Sequence, residues 1–283
     1  MWKRLILWIQ QLFTRLLGKK TPYSTPNGPP IGDAQEMPAD TVVVVINEAE
    51  VIDSDVDHPP LGPDIGPEAV RPPQPLPIRQ PRYMWCLDNG HGKLSQGKRS
   101  PLFDDGQTRL FEYEFNRDVV QRIAQRLQEE GVAFFEVMPE VEQVGNALEE
   151  RVRRANELVT DLSKLFVSVH ANAAPAASPE AWCDPAISGI ETWFYHNSAK
   201  GKKLAAIFQR HLVRATGWKN RHIKSQPQRQ FYVLKKTHMP AILTENGFYN
   251  NKQQARELIK DEVRQKIAEA HVQAILEVER LGL

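Results

Sequence analysis

The chain has 283 residues, of which 41% are hydrophobic and 25% charged, and its formal net charge is +1. This composition excludes a chain that is disordered throughout, and two cysteines are too few for a disulfide-stabilised scaffold. The charge is uneven: residues 1–20 hold five basic residues and no acid, residues 21–70 hold ten acids and no lysine or arginine, and residues 71–283 carry +6. A basic surface suits an anionic polymer such as a cell wall, or is a mixed solvated surface. We expect no nucleic-acid partner.

Residues 1–20 predict a basic amphipathic helix, because apolar residues recur at helical spacing from Trp2 to Leu17. The segment is short for a membrane span, which needs ~20 mostly apolar residues. It also lacks the small-residue cleavage site of a clear cleavable signal peptide. The helix is expected to dock on a membrane surface or a protein particle, or else to pack on its own domain. Fractionation of a fluorescent fusion with and without residues 1–20 would separate these alternatives.

Residues 21–82 predict a Pro-rich acidic linker. The segment holds 14 of the chain's 21 prolines together with the acidic run. Such a composition cannot bury enough apolar surface to offset its chain entropy. A short run at 41–46, rich in valine, has strong strand propensity and is expected to add to a sheet edge, its own or a partner's.

Predicted strands and helices alternate from residue 83 to 283, which we take as the catalytic domain. The strands are predicted at 83–88, 132–137, 165–170, 190–195, 231–234 and 241–245, and the helices at 111–130, 146–159, 199–216 and from 252 to the C-terminus. This alternation predicts an α/β fold: a single, mostly parallel, twisted sheet with helices on both faces.

Four candidate site residues lie at or near predicted element ends. His91 stands between two glycines after the first strand, His170 and Glu245 end later strands, and Glu112 opens the first helix with Asn116 on the same helical face. In parallel sheets, ligands gather at the carboxyl ends of strands. Each residue also has a simpler interpretation: a hydrogen-bonded structural histidine, a helix N-terminal acid favoured by the dipole, or a glutamate paired with arginine.

Residues of these types can hydrolyse an amide. A catalytic zinc site uses three nitrogen, oxygen or sulfur ligands and leaves a position for water. A carboxylate beside that water can take its proton and pass it to a leaving amine. The short histidine pair of the H-E-x-x-H proteases is absent from the sequence, so any such site must be assembled from distant segments.

Six ordered motifs resemble those of one family. They are LDNGHG at 87–92, Glu112 with Asn116, Leu148 and Arg151 with Ala155-Asn156, SVHAN at 168–172, GIETWFY at 189–195 and PAILTENGF at 240–248. Together they make residues 83–281 similar to the zinc-dependent N-acetylmuramoyl-L-alanine amidases of the Amidase_3 type. The chain departs from the family at Asn89, where a proline is usual, and at Asn246, where threonine or serine is frequent.

The resemblance implies that His91, Glu112 and His170 hold Zn²⁺, that Glu245 is the catalytic carboxylate, and that Asn172 helps to line the site. It implies that the enzyme cleaves the amide between the lactyl group of N-acetylmuramic acid and L-alanine in peptidoglycan. The enzyme would then act at the cell wall, in the periplasm or outside the cell. The alternative is a catalytically inactive wall-binding or structural protein on the same fold.

Two further features concern the catalytic domain. Cys86 and Cys183 are not expected to form a disulfide, because their spacing gives no geometric support for one. A Pro/Ala-rich loop at 173–188 is expected to shape a substrate groove, or else to be an inert surface loop.

Overall fold

A computed structural model of the chain describes Ile78 and residues 80–142, 144–228 and 230–283. The helix predicted at 1–20, the run at 41–46 and nearly all of the linker at 21–82 lie outside the described residues. None of the described helices is long and apolar enough to cross a membrane.

A six-stranded sheet forms the centre of the described chain. Its strands are β1 (Tyr83–Asp88), β2 (Phe134–Glu136), β3 (Ser163–Asn172), β4 (Ile190–Phe194), β5 (Asn220–Lys224) and β6 (Ala241–Phe248). They lie in the order β2-β1-β3-β6-β4-β5, and every neighbouring pair is parallel except β4 with β6. The prediction of a mostly parallel sheet is confirmed, with one antiparallel pair.

Helices cover both faces of the sheet, as predicted. They are α1 (Glu112–Glu130), α2 (Leu148–Glu157), α3 (Ala199–Thr216), α4 (Tyr232–Lys236), α5 (Lys252–Ile259) and α6 (Asp261–Leu281). Trp85 and Leu165 belong to the apolar cluster with α1, α3 and α6, whereas Cys86 and Phe166 belong to the cluster with α2 and α4. Because successive residues alternate between the two clusters, β1 and β3 are buried on both faces.

Two predicted elements are wrong in type or extent. The strand predicted at 231–234 does not form, and these residues lead into α4 instead. Val233 and Leu234 are buried in the cluster that includes α2, so tertiary packing outweighs the strand propensity of this aromatic and β-branched run. The helix predicted from 252 to the C-terminus is interrupted at Lys260, whose extended backbone separates α5 from α6.

The sequence does not predict β5, which lies at the edge of the sheet and pairs only with β4 among the described strands. Its sequence, Asn-Arg-His-Ile-Lys, contains one apolar residue. An edge strand can be this polar because part of its surface faces solvent, so it leaves no apolar pattern to detect.

Candidate metal centre and active site

The four predicted site residues converge at one edge of the sheet. β1, β3 and β6 are parallel neighbours, so their carboxyl ends meet at the same edge. His91 follows β1, and His170 of β3 pairs in register with Glu245 of β6. Glu112 is the first residue of α1. All four line one cavity of about 370 Å³.

The turn after β1 brings His91 close to His170. Gly90 lies so close to the His170 ring that a Cβ at position 90 would lie 2.2 Å from His170 Cε1. His91 has a φ of 61°, in the left-handed region that residues other than glycine rarely adopt. The side chains of Asn116 and Arg151 donate hydrogen bonds to the Gly90 and His91 carbonyl oxygens and hold this strained turn in place. The turn is therefore built for close approach of the two imidazoles.

Three side chains point their ligand atoms toward one another. Glu112 Oε1 lies 3.0 Å from His170 Nδ1, and Glu112 Oε2 lies 3.4 Å from His91 Nε2. The three donor groups lie within 4.8 Å of one another. Two ligands at 2.0–2.1 Å from a tetrahedral zinc would be about 3.3 Å apart, which is close to the two distances from Glu112 to the histidine nitrogens.

Hydrogen-bond partners around His91 and Glu112 also fit a cation. His91 Nδ1 lies 2.8 Å from Asn146 Oδ1, an acceptor, so the proton of a neutral ring belongs on Nδ1 and a lone pair on Nε2. That lone pair faces Glu112 Oε2, a buried oxygen that has no hydrogen-bond partner in the described part of the chain. Two acceptors that face each other without a proton between them are stabilised by a bound cation.

The electrostatics of the three residues follow from burial and mutual contact. Burial would raise the pKa of Glu112, but when the rings of His170 and His91 are protonated, their hydrogen bonds and positive charge outweigh burial and hold the pKa well below its usual range. Burial lowers the pKa of His170, and its contact with Glu112 offsets only part of that effect. A metal bound here would take the place of those ring protons, because metal ligands need an ionised carboxylate and neutral imidazoles.

Glu245 is a second buried carboxyl beside the three donor groups. Only 7% of the residue is exposed, and its Oε2 has no hydrogen-bond partner among the described residues. Burial raises its pKa well above the usual value, and the negative charges of Glu112 and Glu191 raise it further. A carboxyl group in this environment takes up a proton readily, as a general base must.

Asn172 lines the same cavity, but its side chain is held by a neighbour. Its Nδ2 donates to Glu191 Oε1 at 2.9 Å. Glu191 also accepts hydrogen bonds from Trp193 Nε1, Arg221 Nε and Lys224 Nζ at 2.9, 2.8 and 2.6 Å. The orientation of Asn172 is therefore set by the ion-pair network around the buried carboxylate of Glu191, at the edge of the site.

Sequence reasoning missed several residues of this cavity. Asn146, Lys98, Phe231 and Tyr249 also line it. Tyr249 directly follows the motif at 240–248, which is a signal that could have pointed to it. Asn146 lies in a loop outside any motif, and only the folded chain brings it to His91.

The loop at 173–188 packs mostly away from the cavity. Among the described residues that line the cavity, only Ala173 belongs to this loop. The backbone N–H of Cys183 donates to Asn250 O at 2.8 Å, and Trp182 packs on Phe103 with ring centroids 5.1 Å apart. Cys183 is a free, buried thiol, as is Cys86 in a separate cluster.

The mixed α/β sheet and the centre at its carboxyl edge define the class of protein as a hydrolase. The side chains of this centre fit a divalent metal. Residues 86–277 match the Amidase_3 family, N-acetylmuramoyl-L-alanine amidase. This match covers more than half of the chain, and the chain belongs to that family. It is a peptidoglycan amidase by enzyme class.

Relatives and solved structures agree with this membership. The chain is 32% identical over 191 residues to the uncharacterized protein YqiI of Bacillus subtilis (strain 168), and the match covers 67% of this chain and 81% of YqiI. It is 31% identical over 186 residues to N-acetylmuramoyl-L-alanine amidase LytC of the same strain, with 65% and 33% covered. It is 30% identical over 205 residues to the endolysin of Bacillus phage SPP1, with 70% and 66% covered. An N-acetylmuramoyl-L-alanine amidase structure from Clostridium difficile 630 gives a TM-score of 0.59 at 25% identity, covering 71% of this chain and 99% of that one.

Proposed function

We propose that this chain hydrolyses the amide between the lactyl group of N-acetylmuramic acid and L-alanine in peptidoglycan, at a zinc centre formed by His91, Glu112 and His170. The observation that carries the proposal is the convergence of these three ligand groups around buried acceptor atoms. Zinc bound there supplies Lewis acidity and lowers the pKa of water to about 7. Family membership supports the choice of bond.

In this proposal Glu245 moves the proton. Its carboxylate takes a proton from the attacking water as the water oxygen bonds to the amide carbon. When the carbon–nitrogen bond breaks, the same carboxyl group returns the proton to the departing nitrogen of L-alanine. Its burial beside His170 and its raised pKa support this role, because they favour both uptake and brief retention of the proton.

Asn172 is proposed as a substrate contact. It lies next to His170 on the cavity wall, and Glu191 fixes its side-chain amide. A fixed amide can orient a peptide group without the loss of side-chain freedom that a mobile contact would require. Because peptidoglycan lies outside the cytoplasmic membrane, the enzyme would act at the cell wall, in the periplasm or outside the cell.

The function can be tested with the purified full chain and isolated cell walls. EDTA should abolish the release of new amino termini, zinc should restore it, and mass spectrometry should identify L-alanine at the released termini. Glu245→Gln should keep its zinc and lose about 10²–10⁴-fold in turnover, the typical contribution of a general base.

Glu114→Gln is the matched control, because Glu114 lies exposed on α1 near Glu112 and should be dispensable. A fully active Glu245→Gln enzyme would contradict the assignment of Glu245. Tight wall binding without new amino termini, in the zinc-loaded protein, would instead identify an inactive wall-binding protein.

A further inference from the structure

A buried chain of hydrogen bonds ends on His170. β1 and β3 pair in register so that Asp88 lies opposite Ser168, and these residues are 1% and 0% exposed. Ser168 Oγ lies 2.5 Å from Asp88 Oδ2, and His170 Nε2 lies 3.1 Å from Ser168 Oγ. Ser168 and His170 are two positions apart on one strand, so their side chains share a face of the sheet.

The direction of each hydrogen bond follows from the groups that can donate. Arg151 donates to Asp88 Oδ1 and Ser168 Oγ donates to Asp88 Oδ2, so both carboxylate oxygens of Asp88 are acceptors. The single hydroxyl proton of Ser168 is therefore donated to Asp88. In the described part of the chain, Ser168 Oγ has only one other partner, His170 Nε2, from which it must accept.

His170 must then carry its proton on Nε2. A neutral imidazole has one N–H, so its lone pair lies on Nδ1, which faces Glu112 Oε1 at 3.0 Å. Two acceptors at this distance repel each other unless a cation lies between them. The same pattern holds at His91, whose Nδ1 is tied to Asn146 Oδ1 and whose Nε2 faces Glu112 Oε2.

We propose that Asp88 and Ser168 are positioning residues that hold His170 in the Nε2–H tautomer and so make Nδ1 the metal-binding atom. The inference rests on the proposed zinc centre and adds to it which nitrogen binds the metal and which residues select that nitrogen. Hydrogen-bonded partners behind a ligating histidine typically contribute 10–100-fold, as an order-of-magnitude estimate, to metal affinity.

The test measures zinc affinity of the full chain by competition with a chelator. Ser168→Ala removes the acceptor for His170 Nε2 and should weaken zinc binding by about 10–100-fold. Ser100→Ala is the matched control: Ser100 is also fully buried, but among the described residues its hydroxyl bonds only to Pro101 O and the Leu110 N–H. The control should bind zinc like the wild type.

A second measurement does not depend on any variant. In ¹⁵N-labelled, zinc-loaded wild-type protein, long-range ¹H–¹⁵N correlation spectra should show the His170 proton on Nε2. A proton on Nδ1, or equal zinc affinities of wild type and Ser168→Ala, would overturn this inference and leave the proposed amidase mechanism intact. Failure of the wild type to bind zinc would overturn the metal centre as well.

Discussion

Two buried carboxylates at the same edge of the sheet have opposite surroundings. Glu191 is 3% exposed and receives hydrogen bonds from Asn172, Trp193, Arg221 and Lys224. Glu112 is 2% exposed, but outside the two histidines the only described N–H group that donates to it is the backbone of Ala171, at 3.3 Å from Oε1. Its other oxygen has no hydrogen-bond partner in the described part of the chain.

The difference separates a structural carboxylate from a candidate metal ligand. Burial would raise the pKa of Glu191, but the ammonium of Lys224 and the guanidinium of Arg221 outweigh burial and lower the pKa. Glu191 thus has all the positive charge and all the donors it needs within the protein. Glu112 faces histidine nitrogens that can supply lone pairs. Its negative charge is compensated to the same degree only when a cation binds.

The largest expected effect is on zinc binding by Glu112→Gln. The amide is a poor zinc ligand, so affinity should fall by more than the roughly 100-fold that a positioning group can contribute. Without metal, the variant should be at least as stable as the metal-free wild type, because the new NH₂ group can donate to an imidazole lone pair. Chelator competition and thermal unfolding in EDTA would measure the two quantities, with Glu114→Gln as control. If metal-free Glu112→Gln unfolded far more easily than metal-free wild type, Glu112 would be a structural carboxylate like Glu191.

Glu191→Gln should show the reverse behaviour. The substitution removes the charge that compensates Arg221 and Lys224, which are 24% and 32% exposed and so can partly regain water. After allowing for this solvent screening, we expect a loss of about 2–3 kcal/mol in the free energy of unfolding. Zinc affinity should be unchanged. Urea unfolding and chelator competition test both points, and a variant that loses zinc but keeps its stability would reverse the two roles.

The sequence predicts the site residues that lie at strand ends. Apolar runs locate β1 and β3, and the motifs at their ends contain His91 and His170. The partners that distinguish the carboxylates are not predictable in this way, because side-chain contacts are set by tertiary packing. Glu191 lies inside the motif at 189–195, yet nothing in that motif shows that it is fully hydrogen-bonded. One of its donors, Arg221, comes from the polar edge strand that the sequence does not reveal.

Polar edge strands and short helices escape prediction for a common physical reason. The sequence signal for an element is a repeating pattern of burial, and β5 is too exposed to have one. α4 has five residues, too few to repeat a helical pattern of burial, and forms because Val233 and Leu234 are buried. The elements of the catalytic domain that form its buried core could therefore be predicted from the sequence, whereas the edge of the sheet formed by β5 could not.

His271 extends the comparison to buried histidines, with the smallest expected effect. It is 0% exposed; Nδ1–H donates to Ile267 O at 2.8 Å, and Nε2 accepts from Thr244 Oγ1 at 3.0 Å, so both nitrogens are partnered within the protein. Burial lowers its pKa to about 4, against a value of 6.5 for the unperturbed side chain. Because the folded pKa lies below the unfolded one, this contribution to stability is complete above pH 6.5 and is lost as the pH falls toward 4.

Between pH 7 and pH 5 the wild type should lose on the order of 2 kcal/mol of unfolding free energy through His271. His271→Gln should be less stable at pH 7 but should lack this part of the pH dependence. Urea unfolding of both metal-free proteins at the two pH values isolates the contribution of His271, because every other residue is the same in the two proteins and its contribution cancels in the difference. The same loss in wild type and variant would show that a fully partnered, buried histidine does not resist protonation here. In that case, hydrogen-bond satisfaction alone would not distinguish structural groups from metal ligands in this fold.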